Sequence, residues 1–152
     1  MSNKSKEVVI VEAVRTPIGA YKGSLRNMKA HKLGSVVINE ILRRSKIKDN
    51  EIDEVIMGQV LTAGAGQNPA RQAAINAGIP ISKPAYIVNQ VCGSGLRAVI
   101  SGYQSIKLGE VKKVICGGQE NMSIAPHSIF YREEKNISKE KLVDTMINDG
   151  LI

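Results

Sequence analysis

Cys92 is the residue whose type and surroundings most directly suggest chemistry. It follows a short apolar run, Tyr86 to Val88, and precedes Gly93-Ser94-Gly95 and a helical pattern. Residues 85–109 therefore predict a strand, a tight turn and a buried helix, with the cysteine at the joint. The thiolate is the nucleophilic form of cysteine, and the positive end of a helix dipole favours an anion. This position predicts a nucleophile, although a cysteine that only packs in the core fits it equally well.

The helix predicted after Cys92 has two contrasting faces. Bulky apolar residues recur at helix spacing on one face: Leu96, Val99, Ile100, Tyr103 and Ile106. Very small residues line another face: Ala98, Gly102, Ser105 and Gly109. This pattern predicts a helix covered on both sides, with a neighbouring backbone close to the small face. The glycines on either side of Ser94 are expected to make the sharp turn and to leave room for a substrate carbonyl.

Apolar runs alternate with helical patterns along the chain. The predicted strands are Val8 to Glu12, Glu54 to Val60, Tyr86 to Val88 and Val114 to Gly118, separated by helices over about 30–44, from residue 69 and after Cys92. This alternation predicts an α/β fold with a mainly parallel sheet and right-handed crossovers. The β-branched run at residues 8–12 is typical of a central strand covered on both faces. For the second helix, Asn68 is predicted as N-cap and Gly78 as the left-handed residue after its end.

The composition is that of a globular protein. Of the 152 residues, 43% are hydrophobic and 23% charged. No apolar run approaches the ~20 residues of a membrane span, and the N-terminus lacks the apolar stretch of a secretory signal. The sequence therefore predicts a cytoplasmic protein without membrane association, whose two cysteines are reduced thiols.

The net charge of +7 comes from 21 basic and 14 acidic residues. The basic residues are scattered, and one Phe and no Trp are available to stack on bases. Nucleic acid is therefore not expected as a partner. A polyanionic ligand such as coenzyme A, or a solvated basic surface, accounts for the charge equally well.

Several segments together resemble the thiolases, most closely those of the biosynthetic acetyl-CoA acetyltransferase type. They are NQVCGSGLRAV, VICGGQENMSIAPH, VVIVEAVRTPIGAYKGSL, EIDEVIMGQVL, GQNPARQAA and DTMINDGL, in family order and over essentially the whole chain after the first few residues. The chain departs from the family pattern in two respects. Gln119 stands where thiolases commonly carry Met or Ala. The sequence also stops at Ile152, before half the length of a thiolase.

The resemblance implies a fold and a domain division. Residues 1–125 would form the incomplete thiolase N-terminal α/β domain, the first of two similar halves, with helices on both faces of the sheet. The implied strand order is 3-2-1-4, with a fifth strand in sequence outside this chain. Residues 126–152 would begin a loop arm associated with tetramer contacts. Residues 142–152 are expected to start a short helix with nothing left to pack on.

The resemblance also implies a reaction. Cys92 would attack an acyl-CoA thioester, with its own backbone N–H as an oxyanion donor, and form an acyl-enzyme. Condensation of two acetyl-CoA to acetoacetyl-CoA, or the reverse thiolysis, would follow, with coenzyme A thioesters as substrates and neither a cofactor nor a metal.

The histidine that activates the nucleophile and the second catalytic cysteine of thiolases lie in segments absent from this chain. His31 is predicted at the surface, His127 matches a thiolase histidine that is not the base, and Cys116 is predicted as a packed core thiol. Little or no turnover is therefore expected from the chain alone.

Two function classes remain open at this point. The chain is either the N-terminal part of an acetyl-CoA acetyltransferase, working as a homo-oligomer or with a separate chain that carries the C-terminal half, or a non-catalytic remnant or assembly module. Condensing enzymes of the ketoacyl synthase kind share the fold, but the sequence NQVCGSGLRA around Cys92 argues against them.

Overall fold

The computed structural model describes residues 7–130 and 142–152. Helices and strands alternate, as the α/β prediction requires. Their bounds are α1 (Ala30–Ser45), β1 (Glu54–Gly58), α2 (Pro69–Asn76), β2 (Ala85–Val88), α3 (Ser94–Leu108), β3 (Val114–Gly118), β4 (His127–Ser128), β5 (Val143–Asp144) and α4 (Thr145–Gly150). Within these two ranges, no helix is long and apolar enough to cross a membrane.

A parallel three-stranded sheet with the order β2-β1-β3 forms the centre of the fold. Val55 in β1 pairs with Ala85 in β2 and with Ile115 in β3. Val55, Ile56 and Met57 are almost completely buried, because β1 has a neighbour on each edge and helices on each face. Successive side chains of a strand point to opposite faces, so Val55 and Met57 face one side and Ile56 faces the other.

The helices lie on both faces of this sheet, as predicted. On one face, α1 and α2 enclose the main apolar core, in which Ile38 and Ala73 pack with Val55, Met57 and Ile115. On the other face, the small side of α3 lies against the sheet, and an added Cβ on Gly102 would be 2.3 Å from the Cys116 Sγ. The small stripe predicted from the sequence is therefore the side of α3 that approaches the strands.

The bulky side of α3 is not covered by the described residues. Leu96, Ile100 and Tyr103 are 68%, 39% and 49% exposed. The prediction that both sides of this helix are covered is therefore wrong for the described part of the chain. Only one side of a helix can lie flat on a sheet, and no second layer of the described residues packs over α3.

The predicted strand at residues 8–12 does not form, and the strand order 3-2-1-4 is wrong. That order would place residues 8–12 between β1 and β3, but Glu54 to Gly58 pair directly with Val114 to Gly118. Both edges of β1 are thus occupied. Val9, Ile10 and Val11 are more than 60% exposed, and residues 8–14 line one side of an apolar groove of about 490 Å³ whose other walls come from β3, α1 and α3. A β-branched run favours an extended backbone but does not determine its neighbours.

The predicted caps of α2 are confirmed. The Asn68 side chain accepts a hydrogen bond from the Arg71 N–H at 3.1 Å and donates one to the Ala85 carbonyl at 2.8 Å. Gly78 has φ +88° just after the helix. Asn68 thus satisfies a free N–H of the first turn and also ties α2 to β2.

The short helix expected near the C-terminus is present, but it does pack on the rest of the chain. Thr145 is buried, and its hydroxyl donates to the Pro126 carbonyl at 2.5 Å. An added Cβ on Gly150 would be 3.2 Å from the Leu61 side chain. The arm predicted over residues 126–152 includes residues 131–141, which lie outside the described residues, so the division at residue 125 stays a prediction.

Candidate nucleophile site

Cys92 lies in the link between β2, which ends at Val88, and α3, which begins at Ser94. It is an exposed free thiol. The carboxyl ends of parallel strands form the edge at which α/β proteins bind ligands, because the connecting loops there are free to vary. Cys92 therefore lies at the predicted joint, beyond the carboxyl end of β2, and its exposure among the described residues does not fit a packed core cysteine.

The sharp turn before the helix is made by Val91. Its φ is +48°, whereas Gly93, which was expected to make the turn, has φ −82°. A β-branched residue in the left-handed region is an outlier that costs about 1–3 kcal/mol and persists only when its surroundings hold it there. The prediction that the two glycines make the turn is therefore wrong, and the strain lies directly before the cysteine.

Two side chains hold the strained turn. The Ser94 hydroxyl accepts a hydrogen bond from the Gln90 N–H at 2.8 Å and donates one to the Val91 carbonyl at 2.6 Å. The Asn89 carboxamide oxygen accepts from the Val91 N–H at 3.0 Å. The sequence analysis did not identify Ser94 or Asn89 in this role, although Asn two residues before a turn and Ser at a helix start are known signals of local side-chain bonds.

The glycines around this site allow backbones to approach closely. A Cβ added to Gly58 of β1 would be 2.4 Å from the Ser94 carbonyl carbon and 2.5 Å from the Gly95 nitrogen. A Cβ on Gly118 of β3 would be 3.4 Å from the Gly95 Cα. The first turn of α3 therefore rests directly on the ends of two strands, and this contact fixes the height of Cys92 above the sheet.

Glu120 is a half-buried carboxylate at the same edge of the sheet. It accepts hydrogen bonds from the Val60 N–H at 2.8 Å and the Leu61 N–H at 3.3 Å. Burial raises the pKa of Glu120, and the backbone N–H groups oppose that shift. The Asn89 side chain donates to the Val60 carbonyl at 3.4 Å, so one peptide segment links Glu120 to the Cys92 turn.

Glu120→Gln is expected to change the pH dependence of stability. Burial raises the pKa of the Glu120 carboxyl above its ordinary value of 4.5, so ionisation is less favourable in the folded state. Below pH 4.5 both states hold the proton and there is no penalty. As the pH rises through the folded value, wild-type stability falls relative to that of the glutamine variant. Urea unfolding at a series of pH values measures the difference, with Glu110→Gln as an exposed control. If the difference in free energy of unfolding between wild type and Glu120→Gln does not vary with pH, the raised pKa of Glu120 is contradicted.

Gln119 belongs to a buried pair of amides beneath this edge. Its Nε2 donates to the Gln59 Oε1 at 2.8 Å, and the Gln59 Nε2 donates to the Leu61 carbonyl at 2.8 Å. The Gln119 Oε1 is buried without a hydrogen-bond partner among the described residues and lies close to Gly34 of α1. Gln119 also lines a pocket of about 180 Å³.

The two histidines occupy different environments. His31 is buried in the first turn of α1, so its predicted surface position is wrong. Burial lowers the pKa of His31, and the neighbouring Lys32 and Lys29 lower it further. His127 is exposed, with its Nε2 3.9 Å from the Asp144 Oδ2. Within the described ranges, neither histidine hydrogen-bonds to Cys92, so the structure assigns a base to neither.

Cys116 is half-buried in β3 and faces Gly102 of α3. Burial raises the pKa of the Cys116 thiol to about 11, and the charge of Glu54 adds to the shift. A thiol with so high a pKa is almost entirely protonated near neutral pH. This environment agrees with the predicted core role and distinguishes Cys116 from the exposed Cys92.

Residues 8–152 match the family model described as the thiolase N-terminal domain. This chain belongs to the thiolase family. Its curated relatives include the acetyl-CoA acetyltransferases of Cupriavidus necator, 54% identical over 146 residues, and of Rhizobium meliloti, 50% identical over 151 residues. The cytosolic acetyl-CoA acetyltransferase of Rattus norvegicus is 48% identical over 151 residues.

These matches cover 95–99% of this thiolase chain but only 37–38% of each relative. The chain thus spans well under half the length of the relatives that it matches. Family membership and the α/β fold are therefore established for this thiolase chain, whereas the activity of a whole thiolase requires a separate argument.

Proposed function

We propose that this chain supplies the nucleophile of an acetyl-CoA acetyltransferase, with Cys92 as the residue that accepts the acyl group. The observation that supports this most directly is an exposed cysteine on a strained turn at the start of α3. Such a turn presents a nucleophile clear of the chain around it. The names of the relatives supply acetyl-CoA as the substrate, the resemblance adds acetoacetyl-CoA, and no resident cofactor or metal is proposed.

In the proposed reaction the Cys92 thiolate attacks the carbonyl carbon of an acyl-CoA thioester. A bond forms between the cysteine sulfur and that carbon, the carbon–sulfur bond to coenzyme A breaks, and the coenzyme A thiolate leaves. The backbone N–H of Cys92 is proposed as one donor to the oxyanion of the tetrahedral intermediate. The second catalytic cysteine implied by the resemblance then takes a proton from the α-carbon of a second acetyl-CoA. The resulting carbanion forms a bond to the acyl carbon, the carbon–sulfur bond to Cys92 breaks, and acetoacetyl-CoA leaves while the Cys92 thiolate is regenerated. The same steps in reverse cleave acetoacetyl-CoA with coenzyme A.

Turnover is proposed to need the activating histidine and the second cysteine of a thiolase in addition to the residues of this sequence. The resemblance assigns the activating histidine and the second cysteine to thiolase segments that this sequence does not contain. A thiol without a nearby base reacts only through its ionised fraction, which is small near neutral pH. The chain alone is therefore expected to undergo slow acylation at Cys92, without catalytic turnover.

Two adjoining apolar surfaces support this need for further thiolase sequence. One is the exposed side of α3, formed by Leu96, Val99, Ile100 and Tyr103. The other is the groove between residues 8–14 and β3, which Val99 and Tyr103 also line. Monomeric proteins rarely expose contiguous apolar patches of this kind. We propose that the remaining part of a thiolase polypeptide covers both surfaces, in the cytosol named for the rat relative. A second copy of this chain on the α3 face is the competing arrangement.

Acetylation of Cys92 provides the first test. The chain is incubated with acetyl-CoA at pH 9, where an ordinary thiol is largely ionised, and acetyl-cysteine is located by peptide mass spectrometry. Acetyl transfer is expected at Cys92 and is expected to disappear in Cys92→Ser. Cys116→Ser is the matched control and should leave it unchanged. Acetylation of Cys116 alone, or of neither cysteine, would refute the proposed nucleophile.

Complementation provides the second test. The part of the Cupriavidus necator relative outside its match to this chain is co-expressed with the chain, and acetoacetyl-CoA thiolysis is measured. Turnover is expected from the mixture and not from either piece, and Cys92→Ser should abolish it. A complex that forms without turnover, although Cys92 is acetylated, would favour an assembly module. Turnover at a normal rate by the chain alone would refute the need for further thiolase sequence.

A further inference from the structure

We propose that Ser94 is a positioning residue for Cys92. Its hydroxyl contacts the backbone on either side of the strained turn and none of the atoms proposed to react. This inference rests on the proposed role of Cys92 and assigns to a neighbouring side chain the task of presenting that thiol.

The two hydrogen bonds of Ser94 hold the peptide groups on either side of the Gln90 and Val91 torsion angles. These angles set the direction in which the chain enters Cys92. One hydrogen bond joins the Ser94 Oγ to the Gln90 N–H at 2.8 Å, and the other joins it to the Val91 carbonyl at 2.6 Å. The backbone bonds whose rotation sets the position of Cys92 lie between these two peptide groups. Ser94 is only 4% exposed, so water competes weakly for either partner.

A hydroxyl is suited to this task because a single oxygen both donates and accepts. The main chain of Ser94 rests on Gly58, so the sheet fixes the position of this oxygen. Asn89 adds a third bond, to the Val91 N–H at 3.0 Å, but Asn89 is exposed to solvent. Ser94 is therefore the buried and rigidly placed member of the pair that holds the turn.

Loss of the hydroxyl is expected to release the turn. Val91 would then move from φ +48° towards the negative φ that β-branched residues prefer. Cys92 follows directly and would change its direction relative to α3. A displacement of about 1 Å at a reacting atom can slow a reaction by up to about a hundredfold. The thiol would remain exposed but would no longer be held in one orientation.

The test measures acetylation of Cys92 by S-acetyl-N-acetylcysteamine, a minimal acetyl thioester, at pH 9. Ser94→Ala is expected to slow it about tenfold, because orientation is lost. Ser94→Thr keeps the hydroxyl and should restore the rate. Ser105→Ala makes the same change on the same helix and should have no effect. Alkylation by iodoacetamide, which depends less on orientation, should change much less in Ser94→Ala and thereby show that the thiol is still accessible.

Val91→Gly separates positioning from a general effect on the fold. Glycine adopts positive φ without strain, so the turn would no longer depend on Ser94. In the Ser94→Ala background, Val91→Gly should recover part of the lost acetylation rate. A Ser94→Ala variant that is acetylated as fast as wild type, or a loss that Val91→Gly does not reduce at all, would overturn the proposal.

A measurement on the unaltered chain covers the case in which Ser94→Ala does not fold. The Gln90 amide is expected to exchange with deuterium more slowly than the exposed loop amides, because it is bonded to a buried oxygen. Exchange as fast as in those loops would overturn the role of Ser94. Absence of Cys92 acetylation in wild type would instead refute the proposed nucleophile, and the Gln90 amide would then decide the role of Ser94 alone.

Discussion

Gly58→Ala is expected to destabilise the chain by about 2 kcal/mol or more and to displace the Cys92 turn. The added Cβ would lie 2.4 Å from the Ser94 carbonyl carbon and 2.5 Å from the Gly95 nitrogen. Both atoms belong to the backbone, so no side-chain rotation relieves the overlap. Either the first turn of α3 must rise from the sheet or β1 must shift within it.

Gly117→Ala is the matched control for this substitution. It makes the same change in the adjacent strand, but its Cβ would lie 3.8 Å from the Met57 sulfur, an ordinary contact distance. Urea unfolding should show a change within about 0.5–1 kcal/mol for Gly117→Ala. The acetylation rate of Cys92 should fall in Gly58→Ala only. Equal stabilities of the two variants would show that the close contact at Gly58 is not rigid.

Leu96→Glu combined with Tyr103→Glu is expected to weaken association with the complementary part of a thiolase strongly. Both side chains lie on the exposed face of α3, at 68% and 49% exposure. Burying two unpaired carboxylates in an apolar interface should weaken binding at least about 30-fold, corresponding to a loss of ~2 kcal/mol. The chain itself should remain folded, because the wild-type side chains are not part of its core.

Val36→Glu is the control for the α3 face. Val36 is 51% exposed on α1, on the other side of the sheet, and should tolerate the charge without loss of binding. Sedimentation velocity of the mixture and of each chain alone distinguishes the outcomes. Binding that is unaffected by the α3 substitutions would exclude this face as the interface. Self-association of the wild-type chain that the same substitutions abolish would favour a second copy as the occupant.

Local signals in the sequence predicted the elements well. Asn68 and Gly78 limit α2 as expected, because capping depends on side chains and backbone within one turn. The small stripe containing Ala98 and Gly102 identified the side of α3 that meets the sheet. Strand order was not predicted correctly, because the run at residues 8–12 carries the same β-branched signal whether it pairs with β1 or lines a groove.

The sequence predicted the position of the candidate site but not the interactions that hold the turn before Cys92. The strand, turn and helix around Cys92 follow from the change in apolar periodicity. The strained residue was missed because valine argues against positive φ, and the hydrogen bonds of the Ser94 and Asn89 side chains that help to hold it are not visible in the sequence. Glu120 was missed for a related reason, since the Val60 and Leu61 N–H groups that donate to it come close only in the folded chain.

The position of β1 between two strands that both follow it in sequence has a consequence for synthesis. Glu54 pairs with Val114, 60 residues later, so the centre of the sheet leaves the ribosome well before its second neighbour. At about 5–20 residues per second, that interval lasts roughly 3–12 seconds. Until β3 emerges, the backbone of Val55, Ile56 and Met57 has at least one unpaired edge, so this apolar segment is open to other strand pairings during synthesis.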